Sequence, residues 1–140
     1  MSICADVKPI LGLFRKDTLL ALSDGFPQHQ RRLYDQFDLR TGYEHYKNIC
    51  DKFDLNIDYF QTGVMLYDTD IIKDDTFDGL YELSLAHPIS ITNEQGIMAL
   101  YFTSIRPVWQ PLPARNDKTN FYDYRSRDKN DNYVMVKVKN

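Results

Sequence analysis

A chain of 140 residues, 43% hydrophobic and 26% charged, is long enough for one domain with a real core, and no apolar run approaches the ~18 residues of a membrane span. A net charge of −3 with scattered Lys and Arg argues against a nucleic-acid partner. Cys4 and Cys50 lie far apart without a CxxC, and no charged start precedes an apolar block, so neither a disulfide framework, a zinc site nor a signal peptide is implied and a reducing, cytoplasmic setting is expected.

Residues 3–10 open the chain with apolar positions broken by Asp6 and Pro9, a pattern that places a strand over 3–8 running into a loop. The run TLLALS over 18–23 is closed by Asp24-Gly25, as a buried strand entering a turn is. Pro27 suits a helix first turn, with a polar surface helix over 28–37. Over 42–53, Tyr46, Ile49, Cys50 and Phe53 recur at helical spacing and define one apolar face. Val64, Met65 and Leu66 form the continuous apolar centre of a strand expected to be covered on both faces. Asp74, Asp75 and Thr76 can cap a helix whose Phe77, Leu80, Tyr81 and Leu85 share a face, although Gly79 inside it costs about 1 kcal/mol. Asn93 is placed to cap a helix over 94–101 that turns Ile97, Leu100 and Tyr101 inward.

Strands alternating with helices predict an α/β domain with a mostly parallel sheet flanked by helices. The stretch 106–132 carries Pro107, Pro111 and Pro113 and reads as irregular, followed by an alternating edge strand over 133–139. One domain over 1–140 results, with no internal repeat. The ten Tyr, eight Phe and one Trp serve mainly core packing and β-surface fit, with sugar stacking a further use of aromatic faces. His29, His45 and His87 are isolated from one another, which favours structural or surface roles.

Two segments concentrate the chemistry. YFQTGVMLYDTD over 59–70 is a strand with polar groups at both ends, and TNEQGIMALYF over 92–102 is a helix opening with Glu94 and Gln95. A buried strand delivering polar groups beside a helix N-terminus is how an α/β protein builds a ligand crevice. For a divalent cation, hard oxygen ligands at i and i+2 are needed. Asp68-Thr69-Asp70 supplies an intact DxD, and Cys4-Ala5-Asp6 supplies the same spacing with the first carboxylate replaced.

Taken in order, ICADVKPILGLF, LLALSDG, FQTGVML, the Glu94-Gln95-Gly96 helix start, and Leu112-Pro113 with Asn116 resemble motifs of the retaining GT-A glycosyltransferases, the glycogenin-like group. The corresponding family segments look like LDADV, AAVPD, FNSGVML, DQD and LPxxxN. The resemblance covers roughly residues 3–116 and implies a partial GT-A fold, the acceptor-side half of a glycosyltransferase domain. It implies transfer of a hexosyl unit from a nucleoside-diphosphate sugar to a sugar or protein hydroxyl, with retention of stereochemistry. Asp6 would help hold Mn²⁺ or Mg²⁺; Gln61, Thr62 and Gly63 would shape the donor-sugar pocket; Glu94 and Gln95 would hold sugar hydroxyls near the reacting carbon. Cys4 stands where the family has Asp, Gln61 where it has Asn, and Gly96 where it has an acid, while the late His and the HxxGxxKPW-like motif have no counterpart. The family's nucleotide-binding half precedes its DxD, so an upstream segment or partner chain is expected to supply it. A non-catalytic remnant or interaction module is the alternative expectation.

Overall fold

The computed structural model of the chain describes residues 2–3, 6–24, 31–38, 40, 42–123 and 133–136. Along it run β1 (Ser2–Ile3), α1 (Lys8–Leu11), β2 (Leu19–Ser23), α2 (Tyr43–Lys52), β3 (Phe60–Tyr67), α3 (Thr76–Ala86), α4 (Glu94–Leu100), β4 (Trp109–Pro111), β5 (Asn120–Asp123) and β6 (Tyr133–Val136). A 3₁₀ turn, Leu33–Gln36, precedes α2, and a π-helical turn, Tyr101–Ile105, extends α4.

The all-apolar LLAL run makes β2 the centre of a three-stranded sheet ordered β3-β2-β4. Side chains alternate along a strand. Leu19 and Ala21 therefore enter one apolar cluster with Ile49, Phe60 and Leu100, while Leu20 and Leu22 enter another with Ile10, Leu112 and Phe121. β2 is thus covered on both faces. β3, expected to be so, is an edge strand with Val64, Met65 and Leu66 only half-buried.

The domain is α/β, but its sheets are mixed rather than mostly parallel. β2 runs antiparallel to β3 and parallel to β4. In the second sheet, ordered β1-β6-β5, β6 is antiparallel to β1 and parallel to β5. Apolar runs signal burial and carry no information on strand sense, which is set by the return path. Between β2 and β3 that path loops through the 3₁₀ turn and α2, long enough to reverse direction.

Local chemistry corrects other boundaries. The strand expected over 3–8 stops at Ile3 among the described residues, and Lys8 and Pro9 begin α1 instead. Proline at a helix start loses nothing, since that N–H has no intrahelical partner. The tail strand is the central strand of its sheet rather than an edge, and 137–139 lie outside the described residues. The stretch 106–132 contains β4 and β5. The polar surface helix expected over 28–37 is the short 3₁₀ turn, with Leu33 and Gln36 buried; residues 28–30 lie outside the described residues.

α2 buries Ile49 with Tyr46 and Phe53 half-buried, but leaves Cys50 exposed. α3 is rotated from the expected face: Phe77, Tyr81 and Leu85 are 75%, 56% and 61% exposed, while Leu80 is half-buried against the core and Thr76 and Leu83 are buried. The cause is Gly79. A Cβ there would lie 2.9 Å from Tyr101 Cε2, so the bare glycine face is the one that can close on Tyr101. Gly96 plays the same part in α4, where a Cβ would come within 2.6 Å of Ser90 Oγ and 3.2 Å of Gln36 Cβ. Ile97, Leu100 and Tyr101 turn inward as expected. Asn93 does not cap α4 with its side chain; its φ of 52° is paired with ψ −115°, outside the left-handed helical region that asparagine favours.

Candidate functional site

The site grows from the join between β2 and β3. The register slips between Ala21 and Ser23 opposite β3, an irregularity of the kind that re-aims the residues beyond it. The next residue, Asp24, is 4% exposed, and its backbone N–H donates to Tyr59 O at 3.0 Å. A carboxylate so buried must have its lone pairs occupied. Tyr59 OH and Gln61 Nε2 both donate to it, and Arg31 Nη1 lies 3.4 Å away.

From Tyr59 the hydrogen bonds continue outward. Gln36 Nε2 donates to Tyr59 Oη at 2.8 Å, and Gln36 Oε1 accepts from Thr92 Oγ1 and, at 3.1 Å, from Gln95 Nε2. Gln95 Oε1 then accepts from Thr62 N–H at 3.4 Å, and Glu94 Oε1 accepts from Thr62 Oγ1 at 3.5 Å. Burial raises the Tyr59 phenol well above its usual range, reinforced by its bond to Asp24, so it stays a neutral donor. Asp24, Gln36, Tyr59 and Gln61 form a buried root; Thr62 and Gln95 are half-buried; Gly63 and Glu94 are exposed above them.

The structure therefore brings Thr62, near the start of β3, against Glu94 and Gln95, at the start of α4, with Gln61 bonded to Asp24 and Gly63 in the open beside it. The long bonds at Thr62 are weak, because hydrogen-bond strength falls steeply toward 3.5 Å. A ligand hydroxyl can replace them at shorter range, giving the exposed rim a ready set of donors and acceptors over a fixed base. Asp6 is placed by a local role: its exposed carboxylate accepts from Lys8 N–H at 3.0 Å at the front of α1. Cys4 lies outside the described residues.

Asp68 and Asp70 sit at the far end of β3, roughly 20 Å from Gln61 by the rise of a strand. Asp68 caps a 3₁₀ turn, accepting from Asp17 N–H at 2.9 Å and Asp70 N–H at 3.1 Å, bonds that hold its carboxyl below the usual range. Among the described residues no three His, Cys, Asp or Glu side chains gather as a metal-holding group. Mn²⁺ or Mg²⁺ wants near-octahedral oxygen coordination. Tyr59, Gln61 and Arg31 occupy the Asp24 carboxylate, and Asp6 brings a single carboxylate to the front of α1.

Asp24, Tyr59, Gln36 and Thr92 were not legible as site residues. Asp24 had a signal, a carboxylate directly after the most apolar strand, masked by the Asp24-Gly25 turn pattern. No helix among the described residues is long and apolar enough to cross a membrane. Comparison of the chain with family models, with curated proteins and with solved structures returns no match.

Proposed function

We propose that this chain is the acceptor-side part of a GT-A-type glycosyltransferase, handling a hexosyl unit that passes from a nucleoside-diphosphate sugar to a hydroxyl of a sugar or protein. The observation that carries the proposal is the meeting of Thr62 with Glu94 and Gln95, two segments separated by some thirty residues, over a rigid buried base. In this reading Gln61 is held by Asp24 and fixes the start of β3. Thr62 and the open Gly63 contact the donor sugar, and Glu94 and Gln95 accept from its hydroxyls beside the reacting carbon. Preorganised groups of this kind lower a barrier because they need no rearrangement as charge develops. No step is derived through Mn²⁺ or Mg²⁺, and the nucleotide-binding half is assigned to an upstream segment or partner chain.

The setting we assign is cytoplasmic, since the exposed thiol of Cys50 suits a reducing compartment. The second reading, an interaction module requiring a partner chain, is favoured by the exposed stripe of Phe77, Tyr81 and Leu85 on α3.

Calorimetry with uridine-diphosphate hexoses, with and without Mn²⁺, tests the first reading. Weak saturable binding that drops about tenfold in Thr62→Val and in Glu94→Gln is expected, the loss of roughly one hydrogen bond. Binding unchanged in both variants, or none to any sugar nucleotide or saccharide, refutes it and leaves the interaction module.

A further inference from the structure

Between the end of α2, the length of α3 and the π-helical turn lies a cleft of about 580 Å³. That volume is typical of small-ligand sites. The Asp24 network contributes nothing to its lining. Asp75, just before α3, and Asp78 and Glu82 within it stand along the cleft at i, i+3 and i+7, on one side of the helix. Arg106 answers the first: its Nη2 donates to Asp75 Oδ1 at 2.9 Å, and its guanidinium lies 5.7 Å from the Tyr101 ring centroid. Among the described residues no hydrogen bond or ion pair engages the side-chain carboxylates of Asp78 and Glu82. Like charges at i, i+4 repel along a helix, so a cation seated between them relieves a standing unfavourable interaction.

A second observation points to a ligand. His87, at the floor of the cleft, is 2% exposed, and its Nδ1 is buried without a hydrogen-bond partner. Buried polar atoms of this kind are rare and call for a cause. Burial, then the positive charge of Lys52 and the nearness of His45, holds the imidazole below its usual range. It is therefore neutral near pH 7 and carries a lone pair on one nitrogen. The third observation is the π-helical turn itself, which brings Tyr101 and Ile105 to the wall. Such turns are uncommon and recur at functional sites.

We propose that this cleft binds an organic ammonium group, seated between the Asp78 and Glu82 carboxylates with an N–H directed toward the His87 imidazole and its carbon chain over Tyr101 and Leu83. The charge of the ligand follows from the walls. The three carboxylates face Lys52 and Arg106, which leaves one uncompensated negative charge. A singly charged ammonium on an alkyl chain fits, whether it comes from a free amine or from the lysine side chain of a partner protein. The site shares no residue with the hexosyl-transfer reading and stands or falls without it.

The test is a titration of the full chain, with its histidines ¹⁵N-labelled, against pentylammonium, against a short peptide with one central lysine, and against 1-pentanol as the neutral control. Saturable shifts of the His87 imidazole resonances are expected with pentylammonium or the peptide, at millimolar or tighter affinity. The exposed double substitution Asp78→Asn/Glu82→Gln should weaken them at least tenfold while leaving the rest of the spectrum in place. Tighter binding of the peptide identifies a protein side chain as the source, and tighter binding of the amine a small molecule. Equal binding of pentanol, equal binding by the double variant, or no shift at His87 with either cation overturns the proposal.

Discussion

β3 carries Gln61, Thr62 and Gly63 directly after its first residue, Phe60, and runs out into Asp68, Thr69 and Asp70, so polar side chains stand near both of its ends. At the start, side chains of the 3₁₀ turn, the residue after β2 and the head of α4 converge from far along the chain. At the end, Asp68 is satisfied by backbone N–H groups of its own turn and of Asp17. Backbone N–H groups alone make a cap; side chains converging from several elements make a site. The capped turn joins its own residues to one neighbouring loop, whereas a network of side chains from several elements ties their positions together and can hold a ligand at fixed geometry.

Substitutions at the two ends can break this contrast. The largest effect is expected for Asp24→Ala, which removes the buried acceptor of the Tyr59 hydroxyl and the Gln61 amide. A loss of about 3 kcal/mol is expected from the shift in urea midpoint. Gly96→Ala follows, at about 2 kcal/mol, because the new Cβ meets Ser90 Oγ and Gln36 and must push α4 off the network. The same denaturation measurement checks it, and a loss near zero would show that the head of α4 is not seated as described.

Tyr59→Phe should cost about 1 kcal/mol at neutral pH. It also has a pH signature. The folded phenol is raised above the unfolded value of about 10, so its contribution is complete below that pH and is lost as pH rises past it, when the unfolded phenol ionises first. Stability of the parent should therefore fall above pH 10 more steeply than that of Tyr59→Phe.

The smallest effect is expected for Asp68→Asn, at the half-buried cap of the 3₁₀ turn. Its folded carboxyl is depressed, so its contribution is present above the unfolded value of about 4 and fades as pH falls through the folded one. The variant should show a small loss at pH 7 that shrinks as pH falls, which flattens the acid limb of the stability profile. A loss at Asp68 matching that at Asp24 would erase the distinction between the two ends.

Periodicity marked β2, β3, α2, α3 and α4, because each buries a regular face and the spacing of apolar residues records it. It did not show which face α3 would bury. Three large apolar residues outvoted Gly79 on paper, yet the glycine permits the closest approach and the helix turns that side to Tyr101. Strand sense was illegible for the reason given above. The rim of the site, Gln61 to Gly63 with Glu94 and Gln95, stood out through the strand end and helix start that carry it. Its base did not: Gln36 lies in a polar stretch that reads as surface, and it is buried because Phe37 bridges to Ser90 and Gly96 packs against it. Burial of that kind comes from tertiary partners and leaves no local pattern.

β2 lends alternate side chains to both apolar clusters, Leu19 and Ala21 to one and Leu20 and Leu22 to the other. Neither cluster can melt alone without stripping one face of the strand the other depends on. Unfolding should accordingly be cooperative across the whole described body, with a single calorimetric transition. The amides of β2 would exchange with solvent only through global opening, and so report the full stability of the chain.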